Sequence, residues 1–226
     1  MPARRIDVYL EIGAKRTFAG AVDWPGWNRS GKTEADALEA LLAYGKRYGR
    51  AVAAARAGFK APATVADLRV VERLRGNATT DFGAPGVPPK ADSRPLTLAE
   101  LKRQTRLLQA AWRAFDEAAA KAVGVTLTKG PRGGGRDLPK MEAHVLEAEE
   151  AYLHALGSRA PRGSDAGVAA QRKVILAALE ARASGKPLAD PNQVAEAKRW
   201  SPRYFIRRTA WHALDHAWEI EDRSTR

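Results

Sequence analysis

The chain has 226 residues, long enough for one large domain or two small ones, and carries a net charge of +12 with no cysteine. The missing thiols exclude disulfides, thiolate metal sites and a cysteine nucleophile, so any metal must be held by nitrogen or oxygen. No apolar run approaches the roughly 18 residues of a membrane span, and "MPARRIDVYLEIG" lacks the apolar core and cleavage site of a signal peptide, so a cytoplasmic protein is expected. The positive charge is spread evenly over both halves of the chain. It suits anionic partners in general, and it equally fits an overall Arg- and Ala-rich bias.

Ile6, Val8, Leu10 and Ile12 alternate, predicting a strand, and residues 16–23 predict a second one after a short "GAK" turn. "WPGWNRSGK" reads as a loop. Thr33, with Asp36 three residues on, predicts the cap of a helix running through "EADALEALLAYGKRYGRAVAAAR". A further strand is expected at 67–73, so residues 1–75 read β-β-α-β. Residues 76–95, rich in Gly, Pro and small polar residues, read as a linker or as an ordered loop wrapping the second domain.

Residues 96–226 read helical. Thr97 caps a helix whose one side carries Leu98, Leu101, Leu108, Trp112 and Phe115. "TLTKGPRGGGR" breaks it, Asp137 caps the next, and Gly157 ends that one. A third helix spans about 166–184, and Ser201 with Pro202 starts the last. Four amphipathic helices of this length predict a bundle, and the whole chain an α+β protein.

The last helix holds His212 and His216, one turn apart and about 40° apart around the axis, so two imidazoles there can meet at one metal. A third ligand must come from another helix. His154 lies on the side of Glu147 and Glu150 and reads as solvated, whereas His144 borders the stripe of Leu138, Met141 and Val145 with small alanines beside it. His144 is therefore the better third ligand. Against the site, His212 and His216 lie away from the aliphatic stripe of Ile206, Ala210 and Leu214. They face water if only that stripe is buried, or else a cleft walled by Phe205 and Trp211. Glu219, on the same face, reads as a fourth ligand, a general base or a surface charge.

"MEAHVLEAEEAYLHAL" and "RRTAWHALDHAWEIEDR" resemble the DinB/YfiT-like proteins, four-helix bundles with one histidine on the second helix and H-x-x-x-H on the fourth. His144, His212 and His216 match those positions, over about residues 97–223. The resemblance implies a divalent metal, zinc or nickel among the candidates, since imidazole suits several. It also implies a low-molecular-weight thiol of the mycothiol or bacillithiol kind, and activity as a thiol transferase, isomerase or hydrolase on a small-molecule substrate. Glu219 or Glu147 is the expected base. The family often continues "H-R-G-Q" where this chain has "AWEIED" after His216. The first part, "VYLEIGAKRTFAGAVDWPGWNRSGKTEADALEALLAYGKRY", resembles the HicB-like fold through Gly31, Thr33 and Ala37, which implies a fold and an interaction surface.

"TKGPRGGGRD" fails the phosphate-loop pattern GxxxxGK[ST]. With Lys129, Arg132 and Arg136 at a helix start it reads either as an anion clamp for a substrate or thiol-cofactor carboxylate or as a solvated connector. Only Trp24 and Trp27, near Arg29 and Lys32, loosely fit base stacking in a basic groove, so nucleic acid is the alternative partner and is not favoured. Glu147, Glu149 and Glu150 read as a solvated face. The oligomeric state is left open, a homodimer included.

Overall fold

The computed structural model describes residues 5–129, 135–163 and 166–224. β1 (Ile6–Ile12) and β2 (Thr17–Ala21) pair antiparallel, with Val8 opposite Ala21 and Ile12 opposite Thr17. β3 (Asn28–Gly31) adds antiparallel to β2, and β4 (Leu68–Arg75) lies parallel to β1, in the order β3-β2-β1-β4. β3 corrects the β-β-α-β reading, because it falls inside the stretch expected to be loop. "NRSG" has neither apolar alternation nor strand propensity; it is a strand only because Asn28 to Gly31 pair with an already formed β2.

The helical run after Thr33 is also broken. Thr33 and Asp36 form the capping box of α1 (Glu34–Ala43), and α2 (Gly45–Ala51) follows after Tyr44. Gly45 lies against Trp27 and Pro62, which approach within 3.4 Å of where a Cβ would stand. Tertiary packing by Trp27, stacked on Tyr48 and edge-on to Phe59, thus fixes the bend. Trp27 is fully buried and its Nε1 donates to the Leu41 carbonyl, so it offers no face to a nucleic-acid base.

Residues 76–95 carry the short α3 (Ala78–Phe82) and a 3-10 turn, Lys90–Ser93. They are tied to the sheet through Glu11, which is wholly buried on β1. Its carboxylate accepts from the Thr80 hydroxyl and from the backbone N–H groups of Gly86 (2.9 Å) and Val87 (3.2 Å).

The rest of the chain forms four long helices: α4 (Leu98–Lys121), α5 (Leu138–Leu156), α6 (Val168–Ala183) and α7 (Pro202–Ser224). Thr97 and Glu100 close a capping box on α4, the Asp137 side chain accepts from Lys140 N–H on α5, and Gly157, at φ +108°, ends α5. α7 packs against α4, α5 and α6. It also meets the sheet side of the molecule, where Trp211 stands edge-on to Phe18 and Trp218 packs on Tyr44. One contiguous apolar core runs from Val8 and Leu10 in the sheet through Leu107 and Phe205 to Leu153 and Leu179.

A buried ion pair joins these parts. The Arg207 guanidinium grips Asp92 with two bonds of 2.7 Å and donates to the carbonyls of Ala21 (2.6 Å) and Val22 (2.7 Å). Each charged oxygen has a donor, which is the condition under which a buried pair is tolerated.

Candidate metal centre

α7 is buried on almost every side, which resolves the position of its histidines. Of the two alternatives, water or a cleft, the burial excludes water: His212 is 6% and His216 9% exposed. α5 runs along that face. Its buried Met141 and Val145 set the helix against the core and turn the half-buried His144 toward α7. The three imidazoles converge: ring centres lie 4.6 Å apart for His212 and His216, 5.0 Å for His144 and His212, and 5.1 Å for His144 and His216. One candidate ligand atom from each lies within 4.8 Å of the other two. His154, by contrast, is exposed.

The donor set fits a divalent ion. The Nε2 atoms of His144 and His212 stand 3.2 Å apart. Two nitrogens each about 2.0–2.1 Å from a tetrahedral ion are separated by about 3.3 Å. The Nδ1 of His212 is buried without a hydrogen-bond partner, and the ring is held by packing against Tyr152, Trp211 and the other two imidazoles. Burial holds the His212 imidazole well below its ordinary pKa, aided by the neighbouring His216, Arg208, His144 and Arg136. Burial, then Arg136 and His216, also lowers His144. Both shifts favour the neutral imidazole, the form that offers a lone pair to a metal.

Glu219 is engaged on both oxygens. Oε2 lies 2.9 Å from His216 Nδ1, and Oε1 accepts from Arg223 Nη1 at 2.8 Å. The bond to His216 first, and Arg223 after it, hold the carboxyl below its usual range, so it is ionised and can only accept. His216 then presents Nδ1 to the carboxylate as donor, so that Nε2 is the nitrogen turned away from Glu219. Arg223 is anchored in turn: its Nε donates to the Thr128 carbonyl at 2.7 Å, and Thr128 N–H returns a bond to the Arg223 carbonyl at 3.0 Å. A carboxylate behind a ligating histidine is the usual outer shell of such centres.

The other expected site residues are more scattered. Glu147 is exposed, one turn beyond His144 on α5. Arg136 is exposed and close enough to influence both His144 and His212. Lys129 lines a groove of about 560 Å³ with Gly135, Asp137 and Arg223. Arg132 lies outside the described residues. Gly135 sits directly on the Arg223 guanidinium, where a Cβ would come within 2.6 Å of Nη2. One glycine of "PRGGGR" thus has a packing reason linked to the Glu219 relay. Glu149 departs from the solvated-face reading: it is 2% exposed, and burial pushes its carboxyl up to about 7 against the opposing pull of Arg172. Sequence reasoning missed Arg208, Arg223 and Tyr152. Arg208 stands four residues before His212, the same one-turn spacing that marked the histidine pair.

No protein-family model matches this chain, and no curated protein or solved structure is detectably similar to it.

Proposed function

We propose that the chain is a divalent-metal-dependent enzyme in which His144, His212 and His216 hold the ion through Nε2. The observation that carries this reading is the convergence of three imidazoles from two helices, two of them with nitrogens 3.2 Å apart. Ligands on the second and fourth of four long helices support a bundle of the DinB/YfiT-like kind. A divalent ion so held supplies Lewis-acid chemistry, lowering the pKa of a water or thiol that it takes up.

The chain's own residues fill the remaining roles. Three protein ligands would leave a bound divalent ion able to take up a water or substrate atom. Glu219 acts as a positioning residue, orienting His216 and selecting its tautomer, because each of its oxygens is already held by a hydrogen bond. The reaction class that fits is thiol transfer, thiol-dependent isomerisation or hydrolysis of a small molecule. Zinc and nickel both suit three imidazoles.

The test is metal content by elemental analysis for the purified wild type, His144→Ala and His212→Ala after equilibration with zinc and desalting. About one equivalent in the wild type and almost none in either variant is expected. Equal metal in all three proteins would falsify the assignment.

A further inference from the structure

The arginines of α7 are of two kinds. Arg203 reaches Glu100 at 2.7 Å, Arg207 grips Asp92, and Arg223 holds Glu219. Arg208 has no carboxylate partner among the described residues. Its guanidinium carbon stands 4.6 Å from the ring centre of Trp211 and 5.5 Å from that of Tyr152. Nη1 is shut off from solvent and has no acceptor. Aromatic faces attract the cation but leave its N–H edge unsatisfied. An unpaired buried donor on a charged group is costly, and such a group invites a partner from outside the chain.

Its position says which partner. Arg208 precedes His212 by one turn, so the two share a side of α7. Tyr152, which flanks the guanidinium, also lies 5.9 Å from the His212 ring. Arg136 adds a second positive charge near the same imidazoles. A divalent ion would add two more; of the two carboxylates that act on His144, Glu147 is exposed to solvent and Glu219 is already shared between His216 and Arg223. This surplus favours an anion and opposes a cation. The planar guanidinium fork matches a carboxylate with two parallel hydrogen bonds.

We infer that Arg208 binds the carboxylate of a small acidic ligand whose other end reaches the three-histidine centre. The second contact rests on the proposed metal at that centre, and the substrate class is then a carboxylic acid with a second metal-seeking group. Arg208 is a specificity-determining residue, held flat by Trp211 and Tyr152.

Malonate, a minimal dicarboxylate, is titrated calorimetrically into the full chain, cobalt-loaded and metal-free, as wild type, Arg208→Gln and Arg208→Lys. Cobalt uptake is read separately from visible absorption. Expected is equal cobalt uptake by all three, with malonate binding weakened about ten- to hundredfold by Arg208→Gln and less by Arg208→Lys. Unchanged malonate affinity in the variants, or no malonate binding to any form, overturns the assignment. If Arg208→Gln does not fold, the Lys variant carries the comparison, because it keeps the charge and loses the fork. A wild type that takes up no cobalt sinks the metal reading alone, and the metal-free titration then decides Arg208 by the same criterion.

Discussion

At the scale of single residues, most of the chemistry lies in charges taken out of water. Glu149 is the clearest instance. Its carboxyl titrates near 7 in the folded protein, raised from 4.5 by burial that the Arg172 guanidinium, 3.8 Å away, only partly offsets. A raised folded-state pKa means the native state binds the proton more tightly than the unfolded chain does. Glu149 thus contributes stability below about pH 4.5 that is lost as pH rises through about 7, a swing of about 3 kcal/mol. Glu149→Gln is expected to be more stable than wild type at pH 8 and to lack this part of the pH dependence in urea melts. Parallel pH profiles for the two proteins would show that the buried carboxylate is compensated. The same burial explains what the sequence could and could not reveal. His144 was legible because its neighbours Ala148, Ala151 and Ala155 are small and its stripe is apolar. Glu149 was not, because its neighbours Glu147 and Glu150 are exposed and only the fold of α6 over α5 distinguishes it.

At the scale of elements, local signals were readable wherever one side chain satisfies its own backbone. Thr33, Thr97 and Asp137 each cap the helix they were expected to cap. What escaped were features made by distant partners: β3, whose residues have no strand preference of their own, and the bend at Tyr44, made by Trp27 and Pro62. Gly20 shows how tightly those partners fit. A Cβ there would fall 2.3 Å from Asn28 Nδ2 and 2.7 Å from carbons of the Tyr9 ring, both buried and hydrogen-bonded to each other at 2.6 Å. Neither side chain can withdraw without breaking that bond. Gly20→Ala is expected to cost about 1–3 kcal/mol, seen as a lower urea midpoint with an unchanged slope. A midpoint within error of wild type would mean that the hairpin and β3 tolerate displacement.

At the scale of the whole molecule, α7 is common to both halves. Phe205, Ile206 and Leu214 enter the core, Arg207 holds the sheet and residue 92, and His212 and His216 face α5. Removing one member of the Arg207–Asp92 pair strands the other in a dry site. Asp92→Ala is therefore expected to lose about 3–5 kcal/mol, with far-UV circular dichroism and tryptophan fluorescence falling together in one transition. Two separated transitions in the wild type would mean that the sheet and the long helices unfold independently.

That shared helix has a consequence in linkage. A metal bound only by the native state slows global opening everywhere, by an amount set by its concentration relative to its dissociation constant. Amides of β1 and β2 share no atom with the histidine centre. Yet those that exchange only through global unfolding should exchange about a hundredfold more slowly at a hundred times that constant. Protection gained in α5 and α7 but not in β2 would show that the grip of Arg207 on the Ala21 and Val22 carbonyls can be released locally, and that the centre is felt by only half of the chain.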